Sequence, residues 1–443
     1  MSHYHFDTLK IRAAYDPSLH NQAVSPPIYQ TTAYEFQDTK KAAALFAFTE
    51  PGFLYTRVNN PTVDILERRI AELDGGSAAL ALASGMAAIS YTILTLAEGG
   101  GRILASPYLY GGSTDAFQRL FPRFGIHFDQ SAAVIDNPAE LEKEIKPDTK
   151  AIFVESIGNP TGAIADLETL AAIAHRHGIP LVVDNTFATP YLLNPIQYGA
   201  DIVVYSATKA LNGHGNLIAG LIVEAGKFAW GNGKFPQLQE PEYLLRDRST
   251  GRKRSFLEVT PQAPFVTRIR LTYLNYFGAA LGPFDAYLTL LGVETLSERL
   301  QKQVENAKKV VAYLEKNEHV AWIQYSGLPS SRYYQQGKKY FPKGLPGIFS
   351  FGFKGTIAES EAFLDAIQLW SYHVNVGDAR SLIVNSPKTT HSELTEEEQR
   401  KVAIEPNLIR LSLGLEDPED LIADLDQAFA TVFGAAAQKE RQS

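Results

Sequence analysis

Short apolar runs alternate with helical stretches through the middle of this chain, and that alternation constrains its fold more than any other feature. Near-continuous Val, Ile and Leu runs are typical of strands buried on both faces of a sheet. Helices between such strands favour right-handed crossovers joining parallel neighbours. We therefore predict an α/β domain with a mainly parallel sheet. The runs are ALALAS (79–84), RILAS (102–106), AIFVES (151–156), PLVVD (180–184), DIVVYS (201–206) and LIAGLIV (217–223).

The two ends of the chain have different patterns. Residues 1–60 have little helical period and predict an extended N-terminal arm, which ends where Asn60 and Pro61 form a favourable helix start. The α/β domain is predicted over residues 61–278. Residues 279–443 combine a long helical pattern, broken near Gly292, with three strands and a closing helix, which predicts a smaller α+β domain.

Composition excludes several classes of function. With 41 Lys and Arg against 49 Asp and Glu, the net charge is −8, which disfavours a nucleic-acid surface or attraction to an anionic membrane. The absence of cysteine excludes disulfides, thiolate metal sites and cysteine nucleophiles. No His, Asp and Glu cluster has metal-ligand spacing, so no metal is expected. The sequence shows no membrane span or signal peptide, and a cytoplasmic protein is expected.

Three of the predicted strands end in residues that can carry chemistry. Ligands of open α/β sheets bind at the carboxyl ends of strands. The turn at 84–86, Ser-Gly-Met, enters a helix and could bind phosphate, although such turns also serve packing alone. Asp184 could face a cation or simply cap a helix. Lys209 could be a desolvated nucleophile, with the hydroxyls of Ser206 and Thr208 beside it, or a lysine that reaches the surface.

The three features together are more specific than each one alone. Pyridoxal 5′-phosphate needs a lysine that bonds to it, an acid that keeps its ring nitrogen protonated, and a cradle for its phosphate. The sequence supplies all three at strand ends, and we therefore predict this cofactor. A dinucleotide-binding domain is the alternative from another class, but no G-x-G-x-x-G turn follows any predicted strand.

The sequence resembles the fold-type I pyridoxal-phosphate enzymes of transsulfuration and methionine biosynthesis. The resemblance covers about residues 5–435 and implies a large domain with a mainly parallel seven-stranded sheet and a smaller C-terminal α+β domain. It is carried by YTRVNNPT (55–62), SGMAA (84–88), YLYGGS (108–113), ESIGNPTG (155–162), VVDNTFATP (182–190), SATKALNGHG (206–215), NVGDARSL (375–382), TTH (389–391) and IRLSLGLED (409–417).

The resemblance implies a role for each matching residue. Lys209 matches the catalytic lysine that bonds to the cofactor and moves protons, and Tyr110 matches a catalytic tyrosine that stacks on the cofactor ring. Asp184 matches the acid at the ring nitrogen. The phosphate cradle matches Gly85, Met86, Ser206 and Thr208.

Other matches concern the substrate and a neighbouring subunit. Asn159 matches an amide near both the cofactor and the substrate carboxylate, and Arg410, with Ser381 beside it, matches the clamp for that carboxylate. Tyr55 and Arg57 match a pair that reaches the cofactor phosphate of a neighbouring subunit. This last match implies a homo-oligomer with shared active sites, most often a tetramer in the family.

Within the family, the sequence resembles the O-acetylhomoserine sulfhydrylase branch most. That branch implies replacement of acetate on O-acetyl-L-homoserine by sulfide or methanethiol; a methionine or cystathionine γ-lyase is the alternative. Gly112 stands where the γ-lyases have cysteine, and the inserted segment 227–278 is absent from the shorter lyases. We expect that segment to cover the site with apolar side chains. Residues 385–388 depart from the family pattern, which leaves the side-chain preference open. The aromatic residues of the expected cover are Phe228, Trp230 and Phe235.

Overall fold

A seven-stranded sheet forms the centre of the large domain in the computed structural model, which describes residues 4–47, 49–247, 250–392 and 395–440. The strand order is β1-β7-β6-β5-β4-β2-β3, and β7 alone runs opposite to the other six strands. The predicted mainly parallel sheet is therefore confirmed. The strands are β1 (Ala78–Leu82), β2 (Gly101–Ala105), β3 (Ile126–Gln130), β4 (Thr149–Glu155), β5 (Leu181–Asp184), β6 (Ile202–Ser206) and β7 (Gly220–Glu224).

Apolar side chains leave both faces of this sheet and enter two separate core layers. Val183 and Val203 pack in one layer, whereas Val182 and Val204 on the same two strands pack in the other. Successive side chains of a strand point to opposite faces, so a strand covered on both sides needs a continuous apolar run. This explains why the apolar runs in the sequence coincide with these strands.

Helices cover both faces of the sheet. The first crossover helix, α3, begins as predicted: Asn60 accepts a hydrogen bond from the Thr62 N–H at 2.9 Å, and Pro61 is the first helical residue. The helices up to residue 277 are α1 (Phe6–Arg12), α2 (Thr39–Phe46), α3 (Pro61–Asp74), α4 (Gly85–Leu96), α5 (Gly111–Asp115), α6 (Ala133–Asp136), α7 (Leu167–Arg176), α8 (Thr189–Leu192), α9 (Pro236–Gln239), α10 (Phe256–Val259), α11 (Pro264–Ile269) and α12 (Asn275–Phe277).

The first 60 residues are less extended than predicted, because α1 and α2 lie within them. Helix α1 packs against the body of the protein through Lys10, which is 1% exposed and forms an ion pair with Glu298 at 2.6 Å. Phe6 and Leu9 also pack against the core, but α1 has only seven residues, so its apolar face is too short to show a helical period in the sequence.

The segment 227–278 does not cover the predicted site, so that expectation is wrong. Trp230 and Phe235 are 2% and 0% exposed, respectively, and belong to the core on one face of the sheet. Trp230 stacks on Phe265 with ring centroids 5.2 Å apart and donates its indole N–H to Glu224 at 2.9 Å. In the sequence, aromatic residues within an irregular segment are compatible with a lid, but in the structure Trp230 and Phe235 are part of the core. Residues 248 and 249 of the segment lie outside the described residues.

The C-terminal part forms the smaller domain, which is built on a four-stranded antiparallel sheet of order β10-β11-β9-β8. The predicted helix break falls at Thr295, three residues after Gly292. The strands are β8 (Val320–Gln324), β9 (Ile348–Phe353), β10 (Leu382–Asn385) and β11 (Leu408–Ser412), and the helices are α13 (Pro283–Glu294), α14 (Leu296–Leu314), α15 (Tyr334–Tyr340), α16 (Ile357–Ala366), α17 (Glu396–Lys401) and α18 (Pro418–Glu440).

Gly292 nevertheless has a structural role near the predicted site. A Cβ on this residue would lie 2.3 Å from the carbonyl oxygen of Asn212, so only glycine lets α13 approach the loop that follows Lys209. Within the described part of the chain, no helix has both the length and the apolar character needed to cross a membrane, and no three acidic or histidine residues are grouped so that they could hold a metal ion.

Candidate active site

One cavity of about 280 Å³ lies at the carboxyl ends of the central strands, between the two domains. Most of the residues singled out from the sequence line it together. These are Gly85, Met86, Tyr110, Asn159, Asp184, Ser206, Thr208, Lys209 and Arg410. Residues spread over more than 300 positions of the chain therefore meet in one place.

The turn between β1 and α4 forms one wall of the cavity. Ser84 caps the helix by accepting a hydrogen bond from the Ala87 N–H at 3.1 Å. The first amides of a helix have no partner within the helix and favour an anion. A Cβ on Gly85 would lie 2.6 Å from the Cβ of Ser206, so the glycine allows the helix start and the end of β6 to meet. The Thr208 hydroxyl exchanges hydrogen bonds with the backbone of Ala219.

Lys209 reaches the cavity from the turn after β6. Its amine donates a hydrogen bond to Oδ1 of Asn375 at 2.9 Å. Burial and the positive charge of Arg410 lower the pKa of Lys209, while the negative charge of Asp378 opposes them. A lysine with a lowered pKa carries more of the neutral amine near pH 7, which is the form that acts as nucleophile or base.

Asp184 ends β5 on the same side. Its Oδ1 accepts hydrogen bonds from the N–H of Thr186 at 3.0 Å and from the hydroxyl of Thr186 at 2.6 Å. Burial raises the pKa of Asp184 to about 6, and the two Thr186 hydrogen bonds act against that shift. A carboxylate in this partly buried position is stabilised by a cationic partner, such as a protonated ring nitrogen.

Arg410, in the centre of β11, brings the small domain to the cavity. The residue is 4% exposed, and its guanidinium donates to Oδ1 of Asn159 at 3.2 Å and to the carbonyl of Asn375 at 3.1 Å. Burial lowers the pKa of Arg410 to about 10, so the group remains a cation at neutral pH. A buried, oriented guanidinium is suited to a carboxylate ligand.

Tyr110 stands before α5 with 44% of its surface exposed at the cavity. Gly112 explains how its ring is accommodated, because a Cβ there would lie 2.7 Å from the Tyr110 ring. A cysteine at this position would push against that ring in the present arrangement.

Four polar residues that line the cavity were given no role from the sequence: Glu155, Thr186, Asn375 and Thr390. Glu155, which is 8% exposed, ends β4 and lies beside Asp184 in the parallel register. Its place at a strand end was a usable signal, and the motif 155–162 includes it. Asn375 lies in an irregular segment far along the chain from Lys209, and the only sequence signal for it is that it begins the motif 375–382.

Three of the predicted residues do not line this cavity. Ser381 is 1% exposed, and its hydroxyl donates to Glu416 at 2.7 Å, so it supports the loop behind β11. Tyr55 and Arg57 lie outside the cavity of their own chain, with the guanidinium of Arg57 5.0 Å from the Tyr55 ring. Within the departure at 385–388, Lys388 forms an ion pair with Glu361 and does not line the cavity.

Comparisons with known proteins agree with this geometry. The family described as Cys/Met metabolism PLP-dependent enzyme matches residues 7–430. The chain is 43% identical over 435 residues to Sulfhydrylase FUB7 of Gibberella moniliformis, covering 97% of this chain and 98% of the relative. It is 42% identical over 430 residues to O-acetyl-L-homoserine sulfhydrylase 1 of Thermus thermophilus, covering 96% of this chain and all of the relative.

A solved structure shows the same fold. The crystal structure of a putative O-acetylhomoserine (thiol)-lyase from Campylobacter jejuni matches with a TM-score of 0.90 and 38% identity, covering 96% of this chain and 100% of that chain. That structure contains N′-pyridoxyl-lysine-5′-monophosphate, a lysine bonded to the cofactor.

Proposed function

The chain belongs to the Cys/Met metabolism PLP-dependent enzyme family, and we propose that it replaces the acetate of O-acetyl-L-homoserine by sulfide or methanethiol. The products are homocysteine or methionine, together with acetate. The observation that carries this proposal is the near full-length similarity to O-acetyl-L-homoserine sulfhydrylases, at 41% identity for that of Leptospira meyeri and 42% for that of Thermus thermophilus.

The residues of the cavity fit pyridoxal phosphate. Lys209 would bond to it, Asp184 would hold the proton on its ring nitrogen, and Tyr110 would stack on its ring. The phosphate would lie at the α4 start, where Gly85 is required because any larger residue would collide with Ser206. When bound, the cofactor supplies a cationic ring that withdraws electrons from the substrate. The other residues of the proposed cradle are Met86, Ser206 and Thr208.

The chain's own residues would orient the substrate and move its protons. Arg410 would bind the carboxylate and so fix the direction of the side chain, with Asn159 held against the guanidinium at 3.2 Å. Lys209, whose pKa is lowered, would take the proton from the α carbon and return it at a later step. Loss of acetate from Cγ and addition of the thiol at the same carbon complete the replacement.

A γ-lyase is not favoured. The relatives described above carry sulfhydrylase names, and Gly112 leaves no thiol beside Tyr110. The segment 227–278 does not argue for either reaction through a lid, because none of its described residues lines the cavity and Trp230 and Phe235 are buried in the core.

Product analysis tests this function. The purified enzyme is given O-acetyl-L-homoserine with sulfide, with methanethiol, or with neither. We expect homocysteine or methionine to dominate when a thiol is present, and slow release of 2-oxobutanoate when it is absent. Rapid cleavage of methionine or cystathionine to 2-oxobutanoate, with no replacement product when thiol is added, would show that the enzyme is a lyase.

We propose that the active site is shared between the subunits of a homo-oligomer and that this oligomer is a tetramer built of dimers. The support is that Tyr55 and Arg57 match phosphate-contacting residues of the family yet lie outside the cavity of their own chain. Tyr55 is 40% exposed, so it is free to meet a second copy. A cytoplasmic location also remains a proposal and rests on the sequence.

Subunit exchange tests the shared site. An inactive Arg57→Ala protein is mixed with an inactive Lys209→Ala protein under conditions that allow exchange. In a mixed dimer, one site contains an intact Lys209 together with an intact Arg57 from the other copy, so activity should partly return. Mixed dimers that form and remain inactive would place the whole site within one chain.

A further inference from the structure

Glu155 occupies a position in the cavity that the proposed chemistry does not use. It ends β4 next to Asp184 at the end of β5, and the two residues are partners in the parallel register. Both line the cavity, and Glu155 is 8% exposed. Two carboxyl groups therefore lie side by side at the strand ends. Burial and the neighbouring charge of Asp184 raise the pKa of Glu155 well above its usual value.

The carboxyl group of Glu155 holds the backbone of two other cavity residues. One oxygen accepts the N–H of Tyr110 at 2.5 Å, and the other accepts the N–H of Asn159 at 3.3 Å. Tyr110 is in the connection after β2, and Asn159 is in the connection after β4. One side chain thus fixes two loops relative to the strand that carries Asp184.

A buried carboxyl group can also serve stability alone, and the chain contains such a case. Glu224 ends β7 and accepts the N–H of Val266 at 2.9 Å, the N–H of Phe265 at 3.4 Å and the indole N–H of Trp230. It resembles Glu155 in burial and in its backbone partners, but it does not line the cavity. What distinguishes Glu155 is that both amides it holds belong to residues of the site.

We propose that Glu155 is a positioning residue of the active site, which holds Tyr110 and Asn159 in register with Asp184 so that the three meet the cofactor ring together. This inference rests on the proposed function, because the ring in question is that of pyridoxal phosphate. Glu155 acts through the backbone of its two partners, and the consequence is a fixed orientation of the ring.

The substitution Glu155→Gln tests the proposal, with Glu224→Gln as the matched control. An amide has one acceptor oxygen, so glutamine can hold only one of the two N–H groups and turns its own N–H₂ toward the other. The holoenzyme of Glu155→Gln should show a weaker circular dichroism signal per unit of visible cofactor absorbance. Its cofactor dissociation constant should rise by up to about tenfold, the upper end of what the loss of one ordinary hydrogen bond costs.

The control separates positioning from stability. Glu224→Gln should lower the thermal midpoint and leave the visible circular dichroism and the cofactor affinity of the wild type unchanged. Glu155→Gln with wild-type values of both, or equal changes in the two variants, would overturn the proposal. A wild-type protein without any visible cofactor band would instead overturn the proposed function.

A second measurement covers the case in which Glu155→Gln does not fold. Hydrogen exchange of the unaltered holoenzyme should show slow exchange at the amides of Tyr110 and Asn159. Rapid exchange at both amides would mean that the carboxyl group does not hold them, and the proposal would be wrong.

Discussion

Replacing Arg410 by lysine keeps the charge of the proposed carboxylate site and removes its forked shape. The guanidinium has five N–H donors in one plane. Two of them are used within the protein, one on Oδ1 of Asn159 at 3.2 Å and one on the carbonyl of Asn375 at 3.1 Å. The rest can bind a substrate carboxylate. A lysine ammonium has three donors around one atom and cannot serve all these acceptors in place of the fork.

The expected loss follows from the hydrogen bonds that lysine cannot make. An arginine fork makes two charge-assisted bonds to a carboxylate, and we expect lysine to keep one of them. One such bond contributes about 1.5–3 kcal/mol. This corresponds to about 10- to 150-fold weaker binding of the substrate. Because the carboxylate is held equally before and during the reaction, the effect should fall on KM, with kcat changed less than about threefold.

Steady-state kinetics with O-acetyl-L-homoserine and sulfide measure this effect. The visible cofactor absorbance of Arg410→Lys should match that of the wild type, which shows that the site is still loaded. Arg268→Lys is the matched control, since Arg268 is 6% exposed and forms an ion pair with Glu98 at 2.6 Å, away from the cavity. It should leave KM unchanged. A cofactor-loaded Arg410→Lys enzyme whose KM stays within about twofold of the wild type would show that the carboxylate binds elsewhere.

Three further outcomes are expected. Lys209→Ala should lose turnover and the visible cofactor absorbance while far-ultraviolet circular dichroism is unchanged; full activity would refute the cofactor assignment. Asp184→Asn can still accept both Thr186 hydrogen bonds, so it should fold, but kcat should fall by more than about tenfold, about 1.4 kcal/mol of barrier. Asp74 is buried against Tyr205, and burial raises the pKa of Asp74 from 3.8 to about 7. The folded state therefore binds the proton more tightly, and stability falls as pH rises between these two values, by up to about 4 kcal/mol. The thermal midpoint of Asp74→Asn should exceed that of the wild type by an amount that grows from pH 5 to 7, and a constant difference would refute this reasoning.

The interior strands could be predicted because their sequence is dictated by their surroundings. Strands β5 and β6 have neighbours on both edges and cores on both faces, so their apolar runs are nearly uninterrupted. The edge strand β3 was not predicted. It alternates polar and apolar residues, with His127 exposed and Ile126 buried, as expected for a strand at the edge of the sheet. Because β3 has only five residues and is buried on one side, its alternation of polar and apolar residues is too short to be recognised in the sequence.

The site could be predicted only where one residue type has one plausible chemical role. A lysine directly after an apolar strand is rare enough to be noticed, and Lys209 does line the cavity. The predicted cover was wrong because aromatic residues are compatible with a lid and with a core alike; the residues concerned are Phe228, Trp230 and Phe235. Ser381 was matched through a motif, but its hydroxyl is used by Glu416, and no pattern in the sequence reveals where a hydroxyl points.

The contacts that join the two domains at the site could not be predicted from the sequence. Asn375 accepts a hydrogen bond from the amine of Lys209 through its side chain and another from Arg410 through its carbonyl. Its side-chain N–H₂ is held in turn by Asp378 at 3.2 Å. The residue that would carry the cofactor and the residue that would bind the substrate therefore share one partner on the small domain. Any shift of the small domain against the large one must alter the contact between Lys209 and Asn375. The chemistry of the amine thus depends on a domain arrangement that no local motif around Lys209 encodes.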